Sequence, residues 1–166
     1  MQANYKTNRL QLRMLTETDA AFIFELVNTA GWIKFIGDRN IKDTGDAVNY
    51  IQKIISNPAI SYRVVTLRDD ETAIGVVTFI KRDYLDHHDI GFAFLPAYNK
   101  QGYAFEATKE FLDDLLNSGE QETILATTIP ENSSSIQLLK KLGFNFSKEI
   151  NHEGQALQLF SIIKNL

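Results

Sequence analysis

Residues 90 to 107 carry the residue pattern that is most informative about chemistry. An apolar stretch ending before Pro96 predicts a strand, and apolar residues at helical spacing after Gly102 predict a helix. The first N–H groups of a helix lack intrahelical partners and lie at the positive end of the helix dipole. The pattern therefore predicts an anion site at Gly102. A simpler alternative is a strand-to-helix turn in which Gly102 only relieves strain.

This loop differs from the common nucleotide-binding motifs. No Gly-Lys-Ser/Thr triplet of a Walker loop follows it, and Gly102 alone cannot make a dinucleotide fingerprint. The loop is therefore neither a Walker loop nor a dinucleotide-binding loop.

A second informative stretch runs from Thr127 to Phe144. It predicts a strand, a capped helix start at Asn132 or Ser133, and a short amphipathic helix that ends at Gly143. Two interpretations of Asn132 stay open here, because helix capping alone accounts for an asparagine at this place and a ligand contact is the other possibility.

The remaining elements position these two stretches. Periodicity predicts the following segments: strand 7–15, a helix capped by Thr16 over 16–27, an irregular stretch 31–43, a helix capped by Thr44 and ending before Pro58, strands 62–67 and 73–81, strand 88–95, helix 102–117, strand 123–129, helix 133–142, and strands 144–150 and 156–164. The order is βααβββαβαββ, in a single domain over residues 1–166. A strand, helix, strand passage implies one parallel pair in an otherwise antiparallel sheet, so the predicted class is mixed α/β.

Composition excludes several kinds of partner. A net charge of −4 argues against nucleic acid, and no apolar run is long enough to span a membrane. The three histidines have no ligand spacing, so no metal is expected. The chain has no cysteine and no secretory signal, which favours the cytoplasm.

The two stretches resemble the GNAT N-acetyltransferases. Gly102 and Ala104 match the family's pyrophosphate loop, whereas Asn99 and Lys100 depart from it. Asn132, Ser135 and the ending 142–144 resemble the subgroup that acetylates the N-termini of ribosomal proteins, as do residues 7–13 and 37–39. The resemblance covers nearly the whole chain.

The resemblance implies a three-layer fold with helices flanking a sheet that splays between the fourth and fifth predicted strands. It implies acetyl-CoA as co-substrate. The residues implied to bind CoA are Phe92, Ala93 and Phe94 along the pantetheine arm, Asn99, Lys100, Gln101, Gly102, Tyr103, Ala104 and Phe105 at the pyrophosphate, and Asn132 and Ser135 on the next helix.

Two departures from the family bear on the mechanism. Leu139 stands where many members have a tyrosine acid, and Thr127 stands where some have a glutamate base. Ser135 is then a candidate donor to the leaving thiolate, with water as the alternative. His88 and Asp89 are candidate bases. Polar residues are also expected where a strand begins at the solvent-exposed surface, and solvent itself is the favoured proton acceptor.

We therefore expect an N-acetyltransferase that transfers the acetyl group of acetyl-CoA directly to a primary amine, on a peptide or a small molecule. The alternative is a sensor of the same fold that binds acyl-CoA without turnover. Trp32, Phe35 and Ile36 are candidates for the acceptor pocket, with core packing as the other explanation. The sequence leaves the acceptor undefined and permits a monomer or a homodimer.

Overall fold

The computed structural model describes residues 1–164, which form one eight-stranded sheet with helices packed against it. Apolar alternation in the strands and apolar stripes in the helices generate these elements. The strands are β1 (Tyr5–Lys6), β2 (Leu10–Met14), β3 (Ile60–Leu67), β4 (Ala73–Ile80), β5 (Asp89–Phe94), β6 (Thr123–Thr128), β7 (Asn145–His152) and β8 (Gln155–Ile163), and the helices are α1 (Ala20–Val27), α2 (Ala30–Phe35), α3 (Thr44–Ile55), α4 (Tyr103–Asn117) and α5 (Ser133–Lys141).

The strand order is β1-β2-β3-β4-β5-β6-β8-β7, and every neighbouring pair is antiparallel except β5 and β6. Helix α4 connects those two parallel strands, as a crossover must. The mixed α/β class predicted from the sequence is confirmed. Within residues 1–164, no helix is long and apolar enough to cross a membrane.

Two apolar cores lie on opposite faces of the sheet. The first packs α4 and α5 against the strands and includes Phe111, Leu139 and Ile90. The second packs α1, α2 and α3 on the other face and includes Trp32 and Ile51. Side chains that alternate along β5 therefore face different helical layers, which decides where each candidate site residue points.

The N-terminal part of the chain differs from the prediction in three places. The predicted first strand is a short hairpin of β1 and β2, because Thr7 N–H donates to the Leu10 carbonyl and turns the chain. The stretch predicted to be irregular contains α2, since the Thr29 hydroxyl accepts from Trp32 N–H and caps a helix. Asp43, one residue before Thr44, caps α3 by accepting from Asp46 N–H at 2.8 Å.

The start of α1 follows the prediction more closely. Thr16 and Asp19 form a capping box that precedes the helix with a turn of 3₁₀ structure. Two hydrogen bonds join the Asp19 carboxylate to the Arg13 guanidinium at 2.7 and 2.9 Å. Burial raises the pKa of Asp19, but these hydrogen bonds and that from the Thr16 backbone outweigh it and hold the pKa below its ordinary value. The pair fixes α1 to the end of β2.

Candidate active site

A cleft of about 1590 Å³ is lined by β5, β6, the first turns of α4 and α5, and parts of α2 and α3. It brings both chemically informative stretches of the sequence to one place. The predicted CoA-binding residues line it with one exception, Gln101, whose side chain donates to the Ala97 carbonyl instead.

The sheet is interrupted within this cleft. Strands β5 and β6 share a single residue pair, Asp89 with Leu125. Leu95 N–H donates to Ile74 on β4, and the His88 carbonyl accepts from Leu125 N–H on β6. Because backbone direction alternates along a strand, Phe92 and Phe94 direct their N–H and C=O groups toward β6, where no strand pairs with them in residues 1–164. These backbone groups are available to hydrogen-bond an extended ligand in the cleft.

The start of α4 contributes further unpaired donors. Gly102 is the N-cap residue, with a φ of 81°, and has no side chain to cap the helix. The first intrahelical hydrogen bond is that of Glu106 N–H, which leaves the N–H groups of Tyr103, Ala104 and Phe105 without helical partners. Lys100 also has a left-handed φ, of 60°. The arrangement fits an anion such as a pyrophosphate.

Arg9 fixes the position of this loop. Its Nε lies 2.7 Å from the Glu106 carboxylate, its Nη1 donates to the Gln101 carbonyl at 2.9 Å, and its guanidinium stacks 4.3 Å from the Tyr103 ring centroid. Burial raises the pKa of Glu106, yet hydrogen bonds from Thr7 and Arg9 lower it below its ordinary value. The negative charge of Glu106 is thus compensated by Arg9 at the helix end where the sequence predicts an anion site.

Asn132 and Ser135 lie at the start of α5, on the opposite wall. The Asn132 side-chain oxygen accepts from Ser135 N–H at 3.3 Å, so Asn132 does cap the helix. Its amide NH₂ makes no hydrogen bond within residues 1–164 and lines the cleft, which leaves the ligand contact possible as well. Leu139, at the place of the family's tyrosine, is 1% exposed and packs into the core.

The two candidate bases lie on opposite faces of β5. His88 stacks on Phe79, with ring centroids 4.6 Å apart, and does not line the cleft. Asp89 does line the cleft and is 3% exposed. Both of its oxygens accept from Arg82 Nε, at 2.9 and 3.1 Å. Burial raises the pKa of Asp89 above its ordinary value, and Arg82 only partly opposes this.

The end of the cleft near Asp89 and Arg82 is here called the acceptor side. Trp32, Phe35 and Ile36, which the sequence proposed for the acceptor pocket, all line the cleft from α2 and its end. Trp32 is 4% exposed and also packs in the core, so both sequence interpretations of it apply.

Several residues on the acceptor side had no signal in the sequence. Tyr84 stacks on His152 with centroids 3.6 Å apart, and the Tyr50 and Tyr62 hydroxyl groups lie 3.3 Å apart. Arg82, which pairs with Asp89, follows β4 in a loop. Arg82 and Tyr84 lie in a loop, which has no periodicity, and the periodicity of Tyr50 in α3 and of Tyr62 in β3 indicates an element rather than a site. In residues 1–164 no group of His, Asp or Glu side chains is arranged to hold a metal ion.

Together, the interrupted parallel pair and the uncapped start of α4 define a protein of the acetyl-CoA-dependent acetyltransferase class. The model of the acetyltransferase (GNAT) domain matches residues 9–145, and the chain belongs to that family. The family uses acetyl-CoA, so the predicted family, activity and co-substrate are confirmed.

Particular relatives are similar to this chain over most of its length. The uncharacterized N-acetyltransferase YnaD of Bacillus subtilis is 31% identical over 139 residues, which cover 82% of this chain and 79% of the relative. A ribosomal-protein-S5-alanine acetyltransferase from Vibrio fischeri has a TM-score of 0.75 at 17% identity and covers 99% and 98% of the two chains. A spermidine N-acetyltransferase from Vibrio cholerae, in complex with CoA and spermine, has a TM-score of 0.80 at 21% identity and covers 95% and 97%.

Replacing Gly102 tests the predicted anion site. Wild-type protein with CoA at 100 times its dissociation constant should gain about 2.7 kcal/mol of stability. Gly102→Val should abolish this gain, because a β-branched residue resists the left-handed φ and its side chain narrows the space at the uncapped N–H groups. Melting temperatures with and without CoA measure both effects.

Gly119→Val is the matched control. Gly119 has a similar φ of 76° but follows the far end of α4 and does not line the cleft. Both variants should lose roughly 1 to 2 kcal/mol of stability through backbone strain. A CoA-dependent shift that survives in Gly102→Val, or that is lost equally in Gly119→Val, contradicts the assignment.

Proposed function

We propose that this acetyltransferase transfers the acetyl group directly to a primary amine on the acceptor side of the cleft, with no acyl-enzyme. The observation that carries the proposal is the gap between β5 and β6, which opens to the pyrophosphate-sized anion site of α4 and to the acceptor side alike. Bound acetyl-CoA supplies an activated acyl group as a thioester. The free backbone groups of Phe92 and Phe94 would hold its pantetheine arm.

Catalysis is then mainly positioning and polarisation. A backbone N–H of the 92–94 segment, fixed by the ladder to β4, donates to the thioester oxygen as negative charge develops there. No cysteine is present in the sequence, and the Ser135 hydroxyl has no basic partner within residues 1–164 to activate it. This supports attack by the amine itself.

Asp89 is the group that receives the proton released by the amine. It lies on the strand next to Thr127, the residue at the place of the family's glutamate, and both line the acceptor side. Burial raises the pKa of Asp89, which makes its carboxylate a better proton acceptor, while Arg82 holds it in place. His88, which faces the other core, is left without a role in the reaction.

Ser135 is proposed as the donor to the departing thiolate. Its backbone N–H is tied to Asn132 and its side chain lines the cleft on the wall facing β5. The Ser135 hydroxyl gives its proton to the thiolate and takes one back from solvent, a role that Leu139 cannot fill.

The acceptor is a primary amine of a peptide or a small molecule. The names of the structural relatives include both kinds, an alanine of a ribosomal protein and spermidine. A cytoplasmic location and a monomeric or homodimeric state stay predictions from the sequence.

Amine-dependent release of CoA thiol tests the proposal directly. Purified protein with acetyl-CoA should release thiol only when an amine is added, with one acetylated amine formed for each thiol. Intact-mass measurement after mixing with acetyl-CoA alone should show no added acetyl group on the protein. Tight CoA binding with no turnover across peptide and small amines would support the sensor alternative, and an acetylated protein would contradict direct transfer.

Asp89→Asn tests the base. The wild-type kcat/KM should fall as pH decreases through the raised pKa of Asp89, because the carboxylate must be ionised to accept a proton. Asp89→Asn should lower kcat/KM by a factor of about 10² to 10⁴. The decrease of kcat/KM at low pH, the acid limb of the profile, should disappear in this variant. In Arg82→Gln, loss of the cation should raise the pKa further and move the acid limb to higher pH.

The pH profile of kcat/KM in Arg82→Gln distinguishes a catalytic from a structural role of the ion pair. If the ion pair were purely structural, both variants would be less stable and the acid limb of the profile would not move. Melting temperature and CoA affinity, measured on each variant, control for misfolding. If Asp89→Asn keeps wild-type activity and the rate follows the ionisation of the amine, solvent is the base.

Asn132→Ser and Ser135→Ala separate the two roles on α5. Serine keeps the helix cap but removes the amide NH₂, so Asn132→Ser should weaken CoA binding by roughly 1 to 3 kcal/mol with little change in stability. Ser135→Ala should lower kcat and spare CoA affinity. Titration calorimetry with CoA and steady-state kinetics measure both, and equal losses of affinity would make Ser135 a binding residue instead.

A further inference from the structure

The cleft is basic although the chain as a whole is acidic. The net charge of the protein is −4. The cleft nevertheless has more basic than acidic side chains in its wall, the basic ones being Lys34, Arg39, Lys53, Arg82, Lys100 and Lys141 and the acidic ones Asp89, Glu131 and Glu153. A concave surface lined by one sign of charge attracts ligands of the opposite sign. The CoA phosphates account for Lys100 and Lys141 on the loop side, but not for the others.

Of the basic residues on the acceptor side, Arg82 alone has an acidic partner within residues 1–164. Arg82 is neutralised by Asp89 at 2.9 Å. Arg39, Lys34 and Lys53 form no ion pair with any carboxylate in residues 1–164. The acceptor side therefore has an excess of positive charge that the protein itself does not compensate.

Arg39 is the one guanidinium among these three unpaired cations, and it lines the cleft together with Tyr62. It follows α2, and its Nη1 lies 3.6 Å from the position that a Cβ of Gly37 would occupy. A guanidinium presents two parallel N–H groups that match a carboxylate.

We infer that the acceptor is an amine that also carries a carboxylate, which Arg39 binds while the amine lies toward Asp89. The inference rests on the proposed function and narrows its substrate class. A polyamine would place a second ammonium group among Arg39, Lys34 and Lys53, where like charges repel it. A carboxylate at the same place would instead compensate the positive charges of these three side chains.

The experiment compares matched acceptors on the intact protein. Glycine, β-alanine, γ-aminobutyrate and δ-aminovalerate are each compared with their own amides, and putrescine represents the polyamines. Thiol release from acetyl-CoA gives kcat/KM, corrected for the fraction of neutral amine. At least one carboxylate should exceed its amide by roughly ten- to a hundred-fold, the effect of a charge-assisted hydrogen bond. The number of carbons between the amine and the carboxylate in the best acceptor then indicates the distance between Arg39 and the thioester.

Variants then assign the preference to Arg39. Arg39→Gln should remove the advantage of the carboxylate over its amide, which is measured as the ratio of the two kcat/KM values in the same variant. Lys148→Gln, an equal loss of charge on the exposed strand β7 outside the cleft, should keep the wild-type ratio. A preference that persists in Arg39→Gln, or putrescine or the amides acting better than every carboxylate, overturns the inference.

A second measurement does not depend on turnover. The melting temperature of the CoA-saturated protein should rise with the preferred amino carboxylate more than with its amide, and Arg39→Gln should abolish the difference. Thiol release with the amides but no carboxylate preference refutes this inference alone. Absence of thiol release with every amine refutes the proposed function, and the melting comparison then still decides whether the acceptor side binds carboxylates.

Discussion

The need to pair backbone hydrogen-bonding groups governs this molecule. A sheet stabilises itself by matching every N–H with a C=O, yet β5 and β6 match at one residue pair and then separate. The chain tolerates the resulting unpaired groups because they face a cleft rather than the core. The sheet is thus incomplete at one place, and this is where the proposed function places the pantetheine arm.

The other elements of the fold place further polar groups around that gap. Helix α4 must cross from β5 to β6, and its uncapped start brings unpaired donors to the same cleft. Arg9 fixes the loop before the helix, and its guanidinium compensates the negative charge of Glu106. On the other face, α2 and α3 contribute residues to the wall of the same cleft. The proposed function therefore assigns the cosubstrate and the acceptor to groups from different layers of the fold.

The sequence predicted the class of fold, because long strands and amphipathic helices have strong periodicity. The loop at Gly102 and the cap at Asn132 were also predicted, since local backbone chemistry alone selects glycine and asparagine there. Helix α2 was missed because six residues that include a glycine leave little pattern, and the cap at Thr29 lies just outside the segment taken as irregular.

The acceptor side could not be predicted to the same depth. The partnership of Arg82 with Asp89 depends on how a loop folds back on a strand, and the stack of Tyr84 on His152 joins residues far apart in sequence. Alternation along β5 did separate His88 from Asp89, but it could not say which of them met the cleft. Only the position of the two helical layers decides that.

The loop between β4 and β5 links two distant parts of the sheet. Leu85 packs on Leu125 and Leu159, and Tyr84 stacks on His152 in the β7–β8 hairpin, while the same loop carries Arg82 to Asp89. The side chains of this loop therefore connect the hairpin at the edge of the sheet with the Arg82–Asp89 ion pair. The position of that buried carboxylate thus depends on packing from the β7–β8 hairpin as well as on its own strand.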